Sequence, residues 1–272
     1  MKRLLLASAI FGALAIPALA ADMAPAPMYK APVPVALPTW TGFYVGVNGG
    51  YGWSNGNVTE TPFQNFGGPV FAVPAATANS RLEGALFGVH GGYNWQAGAF
   101  VLGIEGDFDG AGLNNSAAGV GPDPLGGAGG TATVGVMAHQ DVQWLATVRG
   151  RLGYTWGSSM VYATGGGAWE NLRTNVLLST DTAAALFSES ATASFTNTRS
   201  GYAAGAGYEW MINPNWIARV EYLHYGFGSG GNAFALPVSC GTGGPGATCG
   251  GTFAANNRSI DAVRAALSFK FW

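Results

Sequence analysis

Fourteen residues, Trp40 to Trp53, set a pattern that the rest of the chain repeats. Read with a period of two, Phe43, Val45, Val47, Gly49, Tyr51 and Trp53 fall on one face. Tyr44, Gly46, Asn48, Gly50 and Gly52 fall on the other. One face is apolar and ends in aromatics, and the other is small or polar. Such alternation predicts a β-strand between two environments, and its glycines weigh against a helix.

The alternation returns along the chain. Over about Arg81–Trp95, Ala85, Phe87, Val89, Tyr93 and Trp95 oppose Leu86, His90 and Asn94. Over Ala99–Gly112, Phe100, Leu102, Ile104 and Phe108 oppose Val101, Glu105, Asp107 and Asp109. Over Gln140–Tyr154, Val142, Trp144, Ala146, Val148, Leu152 and Tyr154 oppose Gln143, Thr147, Arg149 and Arg151. Met160–Arg173 is glycine-rich and leaves its facing open. Thr196–Trp210 sets Tyr202, Ala204, Ala206, Tyr208 and Trp210 against glycines and Glu209. Trp216–Phe227 sets Ala218, Val220, Tyr222 and His224 against Arg219, Glu221, Leu223 and Tyr225. Asn257–Trp272 sets Val263, Ala265, Leu267, Phe269 and Phe271 against Arg264, Ser268 and Lys270. Residues 55–80, 113–139, 175–195 and 228–256 lack a sustained period and read as long loops. Residues 96–98, 155–159 and 211–215 read as tight turns, the last through Asn-Pro-Asn.

Eight strands joined alternately by long and short connections have two outlets. A soluble barrel would turn the apolar face inward, and an outer-membrane barrel would turn it toward lipid. Composition decides between them. Only 10% of residues are charged although 48% are hydrophobic, too few charges for a wetted surface. Trp53, Trp95, Trp144, Tyr154, Trp210 and Trp216 stand near strand ends, and Trp40 precedes the first strand. Together they form the expected interfacial girdle. The expected fold is therefore all-β: an eight-stranded antiparallel up-and-down transmembrane β-barrel with four long extracellular loops and three short periplasmic turns. The first and last strands must pair to remove the free edges.

The two ends of the chain fit export. Lys2 and Arg3, the apolar run to Leu19 and Ala18-Leu19-Ala20 make residues 1–20 a secretory signal peptide. Residues 21–39, rich in Ala and Pro, read as an extended periplasmic leader, and residues 40–272 as the barrel. Without Lys2 and Arg3, ten basic residues face fourteen acidic ones, a balance that gives no footprint for nucleic acid. The expected location is the outer membrane of a Gram-negative cell. Cys240 and Cys249 can close a small local disulfide in an oxidising compartment. No His or further Cys stands near them, so a metal site is not expected.

An eight-stranded barrel is narrow enough for side chains to fill it. The inward set then includes Glu105, Asp107, Arg149, Arg151, Glu209, Arg219, Glu221 and Arg264. Confined charges must pair, so a lumen network of arginine–carboxylate pairs is expected to plug or narrow the barrel. Two readings stay open: a largely filled structural barrel, and a narrow pore for small solutes or ions. The glycine clusters at 126–130 and 241–246 lie between no parallel strand and helix, so they are not phosphate loops. His139 and Asp141 near a rim would serve a hydrolase only if a serine lay beside them, and no G-x-S-x-G elbow is present. The expectation is no enzyme and no cofactor.

Several short motifs occur together: W-T-G-F-Y-V-G at 40–46, G-Y-N-W at 92–95, W-L-A-T-V-R-G-R-L-G-Y at 144–154, T-G-G at 164–166 and P-N-W at 214–216. With the leader and the aromatic last strand, the chain resembles the rhizobial RopB / outer-membrane immunogenic protein group, of OmpA-type membrane-domain architecture. The resemblance implies a surface barrel that supports envelope integrity, with porin activity as the alternative. It also implies partners in outer-membrane lipid and lipopolysaccharide, in the barrel-assembly machinery through the C-terminal strand, and in host or cell-surface ligands through the loops. A lesser alternative is surface haem binding, through Met137 and His139. The resemblance does not account for the cysteines, and it leads one to expect a final Phe, so that with the period phased on Phe271 Trp272 stands as an extra residue.

Overall fold

The computed structural model describes residues 39–55, 57–65, 71–72, 76–79, 81–122, 133–181, 188–228, 230–239, 248–255 and 258–271. The expected signal peptide, nearly all of the leader, Cys240 and Trp272 lie outside these residues. Cys249 is described only as a backbone position.

Thirteen strands follow one another among the described residues: β1 (Gly42–Asn55), β2 (Asn57–Asn65), β3 (Phe71–Ala72), β4 (Ala76–Asn79), β5 (Glu83–Ala97), β6 (Phe100–Pro122), β7 (Thr133–Trp156), β8 (Ser159–Asp181), β9 (Ser188–Met211), β10 (Trp216–Phe227), β11 (Gly230–Ser239), β12 (Thr248–Ala255) and β13 (Arg258–Lys270). Eight of them close into an antiparallel barrel in the order β1-β13-β10-β9-β8-β7-β6-β5. The seam joins β1 to β13 from Tyr44↔Lys270 to Asn55↔Ser259. Closure leaves no unpaired edge of this ladder facing lipid.

Short turns close one end, as their residues dictate. Gly98 and Gly157 adopt φ of 63° and 62°, the left-handed region that glycine enters without a Cβ clash. At residues 212–215 the Asn213 carboxamide oxygen accepts from the backbone N–H of Asn215 and of Trp216, each at 2.9 Å. That bond pattern is an Asx-type turn.

The faces alternate along each stave as the pleat requires. Phe43, Val47, Phe87, Val89, Phe100, Leu102, Ile104, Val148, Leu152, Val220 and Val263 are exposed on the outside. Tyr44, His90, Glu105, Arg149, Glu209, Glu221 and Arg264 are buried inside. The facing of β8, open from sequence, is settled: Met160, Tyr162, Thr164, Ala168 and Leu172 point inward.

Two features depart from the sequence pattern. Alternation puts Val142 outward and Gln143 inward, yet Val142 is buried and Gln143 exposed. The ladder between β7 and β8 slips between Val142 and Trp144, and a bulge inserts one residue and so inverts the faces beyond it. The second departure concerns the loops. Residues 113–122 and 133–139 continue β6 and β7, and 175–181 and 188–195 continue β8 and β9. Parts of the first and fourth expected loops form a second sheet, β11-β12-β2-β3, with β4 also on β2. This sheet repeats the neighbour order of the staves below it: β2 follows β1, β4 precedes β5, β11 follows β10 and β12 precedes β13. The staves are thus prolonged beyond the membrane-spanning ladder. A transmembrane strand needs about 9–11 residues to span, and β7 has 24.

Candidate functional site

The lumen is stacked in three layers. At the turn end lie Trp40, Val101, Met160, Tyr162, Met211 and Ile217, all buried. At the opposite end lies a larger apolar layer that includes Leu82, Leu86, Leu113, Leu145, Leu172, Leu223, Tyr225, Phe227 and Ile260. Between them sits the charge.

All eight residues expected in the lumen meet there. Arg149 places Nη2 2.8 Å from Glu105 and 2.8 Å from Asp107, and Nη1 3.2 Å from Glu221. Arg151 reaches Glu209 at 2.5 Å and Glu105 at 3.2 Å. Arg219 contacts Glu105 at 2.5 Å and Glu209 at 2.7 Å. Arg264 holds Glu221 at 2.6 Å and Asp107 at 3.1 Å, and also pairs with Asp109. Each of these side chains is at most 2% exposed, so the layer is closed to solvent.

Aromatic hydroxyls complete the network. Tyr44 donates to Glu105 at 2.7 Å and accepts from Arg151 at 2.8 Å. Tyr162 donates to Glu221 at 3.0 Å, and its ring lies 4.1 Å under the Arg151 guanidinium. Thr147 donates to Asp107 and accepts from Arg149 Nε. Asn48 donates to Asp109 at 2.6 Å. His90 bonds Ser268 at 2.7 Å. Glycine makes room for the rings: a Cβ at Gly92 would meet the Tyr44 hydroxyl at 2.5 Å, and one at Gly207 the Tyr162 hydroxyl at 2.5 Å.

Asp109, Tyr44, Tyr162, Thr147 and Asn48 are network members that the sequence-derived set omits. Asp109 shares the parity of Glu105 and Asp107 and is legible on that ground. Tyr162 is not, because the facing of its strand is open from sequence.

Trp40 departs from the expected girdle. It is 0% exposed and plugs the turn end of the lumen. Its parity is that of inward Tyr44. Its backbone N–H donates to Gln96 at 2.7 Å, and the Gln96 N–H donates back to Thr41 at 3.0 Å. Lys270 binds the Thr39 carbonyl. The other aromatics of the set lie outside. Trp95, Tyr154, Trp210 and Trp216 stand near the turn end, 57%, 49%, 50% and 40% exposed. Trp53 and Trp144 stand half-buried toward the other end, Trp144 stacked on Phe108 at 5.7 Å.

On the outer face of the prolonged hairpin, Ser116 Oγ lies 3.0 Å from His139 Nδ1, and Asp141 lies 4.0 Å from His139 Nε2. The serine that hydrolase chemistry would need is therefore present. The Asp141 separation is too long for a hydrogen bond, and Ser116 and His139 are direct cross-strand partners on β6 and β7. Met137 and His139 project from the same exposed face of β7.

Comparison with known proteins turns this geometry into a family assignment. The family model described as "Outer membrane protein beta-barrel domain" matches residues 7–260. The chain belongs to this family. The chain is also 36% identical over 231 residues to the 31 kDa outer-membrane immunogenic protein of Brucella melitensis, covering 84% of this chain and 88% of that one. The protein of the same description from Brucella suis matches equally. The family places the protein in the outer membrane, with its apolar outer wall in lipid. Among solved structures, the outer membrane protein OprG of Pseudomonas aeruginosa matches with a TM-score of 0.47 at 11% identity, covering 85% of this chain and 96% of that one. The outer membrane protease OmpT of Escherichia coli matches at 0.45 and 8%, covering 84% and 97%.

Proposed function

We propose that this protein is a closed, non-enzymatic barrel that supports the outer membrane and presents its prolonged strands at the cell surface. The observation that carries the reading is the layering of the lumen. A layer of buried arginines and carboxylates is capped by apolar residues toward both ends. A solute would have to break several buried ion pairs and force open both apolar layers, and a porin lumen is instead polar and wet. The aromatics at the two ends of the outer wall would anchor the barrel at the two membrane interfaces. Lipid and lipopolysaccharide are the partners of that wall. Assembly machinery engages the C-terminal strand, and surface ligands meet the extracellular strands.

The catalytic alternative lacks a hydrogen bond from Asp141 to orient His139, the third member that such a constellation needs. The haem alternative would use two side chains projecting from the same face of one strand, only two residues apart. The deciding experiment is conductance in planar bilayers. Purified protein is expected to give no steady unitary steps at voltages where a known porin conducts. Reproducible steps that change in Arg149→Ala would overturn the closed reading in favour of a pore.

A further inference from the structure

The lipid-facing wall carries a carboxylate–imidazole pair at the level of the extracellular aromatics. Asp261 leaves β13 on the same face as exposed Val263 and Leu267. Its Oδ1 accepts from the Tyr222 hydroxyl at 2.6 Å and lies 2.7 Å from His224 Nδ1. His224 and Asp261 are direct cross-strand partners, and Trp53 faces Asp261 from β1. The Tyr202 ring stands 6.2 Å from the imidazole. Immediately toward the periplasm the wall is apolar, with Val220 and Val263 exposed.

A carboxylate on a wall that meets lipid is costly and marks function by default. The lumen network does not include Asp261, and ladder closure does not need it. The pair has an outward-directed chemistry. With Nδ1 committed to Asp261, Nε2 lies on the far side of the ring, in the headgroup layer. In the imidazolium form both nitrogens donate, and Nε2–H becomes a charge-assisted donor to an anion. The ring keeps that anion away from the carboxylate. Among the described residues, the titratable groups facing His224 are Tyr202 from β9, Tyr222 from β10 and Asp261 from β13; Trp53 from β1 adds an apolar flank.

We propose that Tyr222, His224 and Asp261 form a binding site for a phosphate group of an outer-leaflet lipid, received at His224 Nε2. This site deepens the lipid partnership proposed above, and it rests on the lipid-facing wall and not on the closed lumen.

The test uses the full mature protein, refolded in detergent and mixed with three lipids: a phosphorylated lipid-A-type glycolipid, its dephosphorylated form, and phosphatidylglycerol. Native mass spectrometry reads retention. The phosphorylated glycolipid is expected to be retained over the dephosphorylated one, and the preference to fall about ten-fold in His224→Gln. Asp261→Asn should lower it too, and Tyr222→Phe should do so by a smaller factor. Ser159→Ala, at the opposite interface, should leave it unchanged. Retention of phosphatidylglycerol that also depends on His224 would support the site and make the phosphate, rather than the sugar, its ligand. Equal retention of phosphorylated and dephosphorylated glycolipid, or a preference untouched by His224→Gln in protein that still shows its folded gel mobility, would overturn it. Bilayer conductance reports separately on the lumen, so either idea can fail alone.

Discussion

Arg149 touches three carboxylates, from β6 and from β10, with no exposed guanidinium surface. A buried pair is weak evidence of net stability, because desolvation offsets much of the attraction, but removing one partner strands the others. Arg149→Ala is therefore expected to destabilise the barrel by about 3–5 kcal/mol, measured by urea unfolding in lipid vesicles. Arg149→Lys should recover only a fraction of that loss, since a single ammonium cannot fork toward three acids. At this scale the charges are legible in the sequence because each lies on the parity that excludes lipid. Five carboxylates, Asp109 included, face four arginines. Trp40 misleads because its proximity to a strand end suggests a girdle, while its parity, the better guide, points inward.

Strand faces set a sharper test. Gly91 and Gly92 are neighbours on β5 with opposite surroundings. A Cβ at Gly92 would enter the Tyr44 ring, whereas one at Gly91 meets only ordinary contacts at 3.4 and 3.5 Å. Gly92→Val is expected to cost about 1–3 kcal/mol through overpacking, and Gly91→Val to be near neutral, both followed by the temperature at which the folded gel band is lost. The staves themselves are legible because membrane and lumen impose opposite chemistry on alternate residues, as Val45, Val47 and Asn48 illustrate. The reversal at Gln143 is not, since a bulge is a backbone event with no side-chain signature there. The prolonged strands escape notice for a related reason. Ser188–Phe195 is nearly all Ser, Ala and Thr, and such residues show no contrast between faces even where the ladder continues.

For the molecule as a whole, the membrane-spanning ladder and its prolongation are expected to be separable. β6 and β7 stay paired through Ala117↔Ala138 and on to Pro122↔Thr133. Excising residues 118–137 and joining Ala117 to Ala138 through Asn-Gly supplies a turn suited to a hairpin. The shortened protein is expected to refold in detergent with its heat-modifiable gel shift intact and to lose only surface presentation, read by antibody binding to intact cells. Loss of the gel shift would show that the prolonged strands are needed for closure.

The seat of Trp40 has a consequence for the order of assembly. Its walls come from β6, β8, β9 and β10, and the chain beside it is tied down by Lys270 at the end of β13. The first residues of the barrel are therefore expected to find their place late, after strands far along the chain have arrived. Trp40 is expected to act as a latch thrown after the seam shuts. In a variant retaining Trp40 as its sole tryptophan, a change in its emission is expected to coincide with seam closure rather than with earlier insertion of strands, followed by stopped-flow fluorescence during refolding into vesicles.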